Sequence, residues 1–312
     1  PVSGRRELWE RARERFGVGA GVALDVVTPV DLLRLGVRDL AAVADITADL
    51  LAQRARKSPW EVARMEETGR VAARVFEYGA EILRAGMTEA GFAGRLFAKA
   101  MELGHEGTLR SRGALDAYSW HVLSGPNAAK PGAVDTPMSG EGLSPAFPSG
   151  ASLRAIGRGE PVIVDFGVSV FGYQTDQTRT FCVGPAPAWL EEAHGAIVDV
   201  QRAMVSVLRP GVPAGEVFSR GREAAHAGGL VDYLGHAGSR CRFVGHGIGL
   251  ETVEPPVIAE GSSAHLEASF TVALEPKAVV GQLGGVGVED TLLVEDGGAR
   301  PLASIPLGLI RV

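Results

Sequence analysis

Residues 162–184 read VIVDFGVSVFGYQTDQTRTFCVG. The apolar start, Val162-Ile163-Val164, delivers Asp165; a turn at Phe171-Gly172 follows, and a second β-rich run carries Asp176 into Thr178-Arg179-Thr180-Phe181. Two such runs around a Gly-containing turn predict a β-hairpin. Acids on neighbouring strands can aim at one point, where a buried pair repels unless a cation or a proton stands between them. Two ordinary solvated strand-end aspartates fit the same letters, so the rest of the chain decides.

A chain of 312 residues can bury a large core, as one big domain or as one domain plus a remnant. Its 46% hydrophobic and 22% charged content is that of an ordinary globular protein. The net charge of −6 leaves no electrostatic footprint for nucleic acid. No run of 18 apolar residues predicts a membrane span. The start, PVSGRRELWERARERF, lacks the apolar segment of a secretory signal. Cys182 and Cys241 are the two cysteines; they read as small core hydrophobes in a reducing cytoplasm rather than as a disulfide scaffold.

In chain order, residues 1–54 offer a helical stretch at Leu8–Phe16, a short strand at Gly21–Val27 and little core, as a truncated domain would. Ser58-Pro59-Trp60-Glu61 is a helix start with a capping box, and that helix should run to about Arg84 and stop at Gly86, burying Val62, Met65, Val71, Val75 and Ile82. A second helix follows Thr88 and ends at Gly104. Strand-like runs come at Thr108–Ser111 and Tyr118–Leu123. From Gly125 to Gly159 the chain is rich in Gly, Pro, Ser and Ala without periodicity, which predicts a functional loop, a flap beside the site. Helices are predicted at Trp189–Leu208 and Pro213–Gly229, then strands at Phe243–Gly249, Phe270–Leu274 and Val286–Val294. Residues 83–104 can be laid on 208–229 at an offset of 125, matching Leu83, Arg84, Gly86, Ala100 and Gly104 to Leu208, Arg209, Gly211, Ala225 and Gly229. With the same order of elements in both halves, this points to an internal duplication.

Three more chemistry-bearing residues stand in β-rich surroundings: His246 between glycines, Glu275 closing Phe270–Leu274, and Glu289 closing Val286-Gly287-Val288. A lone core histidine and two strand-end ion pairs would explain each singly. Together with Asp165 and Asp176 they make four acids in places where a buried charge is costly without a shared counter-charge. Four carboxylates and an imidazole suit a pair of divalent cations of the Mn, Co, Fe or Zn type.

The set Asp165, Asp176, His246, Glu275 and Glu289, within DFG, GYQTDQTRTF, GHGIGLE, LEPK and GVGVEDT, resembles the pita-bread metallopeptidases, and in particular their prolidase, aminopeptidase P and creatinase branch. The resemblance covers about residues 55–312. It implies an α+β fold, a pseudo-twofold duplication of helices around a curved, mainly antiparallel sheet, with residues 1–54 the remnant or C-terminal part of the branch's N-terminal domain. It implies that Asp165 binds one metal with both oxygens, that Asp176 and Glu289 bridge two, and that His246 and Glu275 complete the other. It further implies Glu275 as the catalytic proton carrier for a metal-activated water attacking an amide, and a homodimer. Thr178, Arg179 and Thr291 are candidates to orient the carboxylates, and Tyr173 a candidate for the pocket.

Two histidines usual in that branch are replaced. One follows SGPNAAxP, where this chain has Gly132; the other lies seven residues past the ligand histidine, where this chain has Val253. Loss of such a donor costs on the order of 100-fold in rate. His121 could supply an imidazole from another direction, though a structural or solvent-facing role is the plainer expectation. Three functions stay open: a dinuclear Xaa-Pro-type peptidase, a hydrolase or lyase acting on a non-peptide small molecule, and a catalytically silent binding module.

Overall fold

A computed structural model describes residues 7, 11, 14, 22–24, 43–112, 120–131, 136–236 and 240–312. The chain divides into two compact units, Pro1–Arg54 and Ala55–Val312. Most of the predicted helix at Leu8–Phe16 lies outside the described residues, as do Gly132 and Tyr118. In the first unit β1 (Val22–Leu24) pairs in parallel with β2 (Val43–Asp45), and α1 (Thr47–Ala55) follows.

The second unit is built twice. Helix α2 (Pro59–Ile82) starts as its letters require: the Ser58 side chain accepts from the Glu61 backbone, and the Glu61 carboxylate accepts from the Ser58 N–H. It ends near Gly86, whose φ of +88° a residue with a Cβ rarely adopts. Helix α3 (Glu89–Glu102) comes next, then β3 (Trp120–Ser124), β4 (Pro161–Val170) and β5 (Tyr173–Cys182). In the second half come α4 (Ala188–Val205), α5 (Ala214–Ala227), β6 (Asp232–Tyr233), β7 (Phe243–Gly247), β8 (Glu254–Ala259), β9 (Thr271–Leu274), β10 (Lys277–Val280), β11 (Gly284–Gly287) and β12 (Asp290–Glu295). Short strands β13 (Gly298–Pro301) and β14 (Ile310–Arg311) close the chain.

The duplication is visible in the bonding. Helices α3 and α5 are related by the offset of 125, and Gly211 repeats Gly86 with a φ of +84°. Gly86 N–H bonds Ile156 O at 2.8 Å, and Gly211 N–H bonds Leu266 O at 2.9 Å. Thr88 bridges Ala155 as Pro213 bridges His265. Past the long loop the offset falls to 110, and it then carries Asp165 onto Glu275. The first acid of the hairpin and the acid after β9 are therefore equivalent positions of the two halves.

Each half has its own core. Phe76 lies between Phe166 and Phe181, and Phe92 meets Phe181 edge-on, which fixes α2 and α3 on the sheet β14-β5-β4-β3. Leu190, Ile197, Met204 and Val217 of α4 and α5 pack on Val244, Val272, Leu292 and their neighbours, in the sheets β13-β12-β9-β7-β8 and β11-β10-β6. A fully buried side chain of this kind contributes about 1.5–3 kcal/mol. Apart from β1–β2 and β14–β5 every named strand pair is antiparallel.

Several local readings differ from the structure. Thr108–Ser111 forms no strand; Arg110 O instead accepts from Thr252 N–H and from the Gln174 side chain, tying two loops together. The run Val286–Val294 breaks at Val288-Glu289 into β11 and β12. The predicted flap is tied to α3 at Asn127 and Ser152 and, just before it, at Ser124. Buried Glu89 accepts from the N–H and hydroxyl of both Ser124 and Ser152 and from the Asn127 amide, at 2.6–2.9 Å. Both cysteines are buried, and neither forms a disulfide.

Candidate metal centre

Strand β4 pairs with β5 so that Asp165 faces Thr178, and the tight turn between them puts both Phe171 and Gly172 at positive φ, as a type I′ hairpin demands. Alternation then places Asp176 and Thr178 on one face and Tyr173 on the other. Tyr173 packs with Met65, Ile248 and Leu302, and its hydroxyl donates to Glu61 at 2.9 Å. Its expected place in the pocket is thereby corrected: it braces α2, because its strand parity points it away from Asp176.

Glu289 reaches the same spot from the other half. Its backbone forms a bridge with Thr178, whose hydroxyl donates to Glu289 Oε2 at 2.7 Å. Arg179 is fully buried and donates to the backbone carbonyls of Thr178, Glu289, Ile305 and Pro306 and to Asp290 Oδ1 at 2.7 Å. Thr291 Oγ1 accepts from Asp176 N–H at 2.9 Å and donates to Asp176 O at 3.0 Å. These three side chains fix the backbones that carry the carboxylates.

His246 lies on β7 with Nδ1 3.0 Å from Gly247 O. A carbonyl accepts only, so Nδ1 carries a proton and Nε2 is the nitrogen turned toward the acids. Nε2 stands 3.6 Å from Glu275 Oε1. Ligand atoms of Asp176, His246 and Glu289 all lie within 4.8 Å of one another. Two carboxylates and an imidazole are a donor set that fits a divalent first-row cation.

Lys277 is the residue that sequence reasoning passed over. It is 2% exposed, and its Nζ donates to Asp165 Oδ2 at 2.8 Å and Glu275 Oε2 at 2.7 Å, with Glu289 Oε2 at 3.4 Å. Burial works against an ammonium here, but Asp165, Glu275 and Glu289 outweigh it and hold Lys277 well above its ordinary value. Burial would also raise Asp165; the Lys277 charge and then His121 hold it below the ordinary range. Asp176, which Lys277 does not touch, is pushed up to about 8 by burial and then by the Asp165 charge. Burial and the Asp176 charge push Glu289 far upward.

His121 is also at the centre, against the structural or solvent-facing expectation. It pairs across the sheet with Asp165, with Nδ1 3.9 Å from Asp165 Oδ2 and Nε2 3.5 Å from Ser149 Oγ of the long loop. Burial lowers its pKa, against the opposing pull of the Asp165 charge. Val253 lies 45% exposed on the bend before β8, and Gly132 lies outside the described residues.

The sequence pattern of metallopeptidase family M24 matches residues 63–296, a span that contains all four acids and the imidazole. The chain belongs to metallopeptidase family M24. It is similar to the uncharacterized peptidase YqhT of Bacillus subtilis, 31% identical over 81% of this chain and 64% of that protein. It is also similar to an Xaa-Pro dipeptidase of Pyrococcus furiosus, 34% identical over 56% of this chain and 49% of the other. The chain thus spans about half to just under two thirds of the length of these relatives. The solved Xaa-Pro dipeptidase from Bacillus anthracis superposes with a TM-score of 0.80 over 100% of this chain and 80% of that one, at 24% identity. That likeness is one of fold, and the M24 fold of the second unit is the pita-bread fold that the motifs imply.

Proposed function

We propose that this M24 chain is a metal-dependent hydrolase that cuts an amide in a small, peptide-like substrate. The observation that carries the reading is the convergence of Asp176, His246 and Glu289 on one point, with Glu275 beside His246. A divalent cation held there would supply Lewis acidity, polarising a carbonyl and making water a nucleophile near neutral pH. The chain's own groups do the rest. Glu275 is placed to accept a proton and pass it on. Thr178, Arg179 and Thr291 hold the acids in register, so little reorganisation is needed.

A cavity of about 1100 Å³ lies beside β7 and β8, lined by Val257, the register partner of His246, and by Phe243, whose ring meets His246 edge-on at 6.1 Å; the residues of the metal centre do not themselves line it. The resemblance adds Mn or Co as the ions, two per site, and a homodimer; two buried cysteines outside any disulfide support a cytoplasmic setting. No described helix is long and apolar enough to cross a membrane.

One observation favours a second reading. A buried ammonium among the acids, with Val253 where the resembled branch has an imidazole, alters the polarity that a scissile amide would meet, as in a member acting on a non-peptide small molecule. Turnover of Xaa-Pro dipeptides and tripeptides by the Mn- or Co-loaded protein decides between them. Cleavage supports the peptidase reading, bound metal without cleavage supports the second, and a protein that binds neither ion ends both.

A further inference from the structure

The two-ion arrangement leaves no place for Lys277. An ammonium has three protons to donate, and here each has a carboxylate in front of it: Asp165 at 2.8 Å, Glu275 at 2.7 Å and Glu289 at 3.4 Å. The side chain has a reserved lane. Its neighbour across the β10–β11 pair is Gly287, where a Cβ would lie 2.8 Å from Lys277 Cγ, so glycine there lets the aliphatic stem pass. The lane exists in one half alone. The offset that carries Asp165 onto Glu275 carries Gly167 onto Lys277, and a Cβ at Gly167 would run into Leu109 at 2.3 Å. The ammonium therefore breaks the pseudo-twofold symmetry of the acids at one end of the cluster.

What it leaves is a smaller set. Of the four carboxylates only Asp176 has no hydrogen bond to Lys277. The ligand atoms that approach one another are those of Asp176, His246 and Glu289, without Asp165. We propose that Lys277 Nζ takes the place of one of the two cations, and that the centre holds a single divalent ion on Asp176, His246 and Glu289. Asp165 is then a partner of the ammonium and not a ligand. Glu275 divides its two oxygens, with Oε2 on Lys277 and Oε1 facing His246 Nε2.

This rests on the metal-dependent reading above, and metal content separates the two. The test is elemental analysis and calorimetric titration of the full chain with Mn and, separately, Co. Expected are one ion per chain for the wild type and for Asp165→Asn, none retained by Asp176→Asn, and two for Lys277→Met, which keeps the stem and loses the charge. Two ions in the wild type, or one in a folded Lys277→Met, would overturn the inference while leaving the hydrolase reading intact. No ion in the wild type would overturn that reading instead. Should Lys277→Met fail to fold, the wild-type and Asp165→Asn stoichiometries still decide: loss of the ion in Asp165→Asn makes Asp165 a ligand and refutes the assignment.

Discussion

The imidazole of His194 is 4% exposed on α4, and its Nε2 has no hydrogen-bond partner among the described residues. Burial, aided by the charges of Arg179 and Arg311, lowers its pKa from 6.5 to about 4. In the unfolded chain the same group takes up a proton below about 6.5, so the unfolded state binds more protons between the two values. Stability from this residue is fully present above pH 6.5 and is lost as the pH falls toward 4, by on the order of 3 kcal/mol. Urea unfolding of wild type and His194→Gln at pH 7.5 and pH 4.5 checks it: the wild type should lose more than the variant, and equal losses would refute the assignment. Other residues show what local letters can and cannot carry. The four acids and the imidazole stood out in the sequence because each closes or interrupts an apolar run where an unshared charge is costly. Lys277 did not, although it stands in LEPK, because where its amine points depends on β10–β11 pairing and on a missing Cβ at Gly287. His121 was misread for a similar reason: its neighbour Asp165 comes to it through the β3–β4 register.

Helices were easier to read than strands, and α2 shows why. Its capping box is a bond between neighbours three residues apart, so the start is written in four letters. The short strands β8, β10, β13 and β14 carry no such signature and exist through partners elsewhere in the chain. A glycine in the middle of α2 gives a sharper case. By propensity alone Gly69→Ala should stabilise a helix by about 1 kcal/mol. The structure reverses the sign, because a Cβ at Gly69 would lie 2.2 Å from Leu302 O, and Leu302 is held by its own N–H bond to Thr291 O at 2.9 Å. Relieving that overlap requires α2 to move off the C-terminal segment, at a cost of about 1–3 kcal/mol. Gly94 in α3 and Gly195 in α4 meet nothing within 4 Å of an added Cβ, and both should be stabilised by alanine. Chemical denaturation of the three single variants reads the comparison; a stabilised Gly69→Ala would show that the contact yields freely.

On the scale of the whole second unit, the acids lie where the two halves meet. Asp165 and Asp176 come from the first hairpin, while His246, Glu275 and Glu289 come from the second half, and the apolar cores of the halves are separate clusters. Direct polar links across this seam include the Thr178–Glu289 bridge, the Thr291–Asp176 and Thr180–Gly287 bonds, the Lys277–Asp165 pair and the Arg179 contacts. An ion on Asp176, His246 and Glu289 would add one more link between the two halves, beside the apolar contacts that Tyr173 of β5 makes with Ile248 and Leu302. Ligand binding restricted to the folded state stabilises by about 2.7 kcal/mol at a hundredfold excess over the dissociation constant. For a unit of this size that corresponds to a rise of roughly 5–10 °C in Tm. Thermal unfolding should therefore shift upward with Mn or Co and return with a chelator, while Asp176→Asn shows no shift. If neither ion nor chelator moves the wild-type transition, the cation is not part of the seam, and the burial of these acids must be supported by Lys277 and protonation alone.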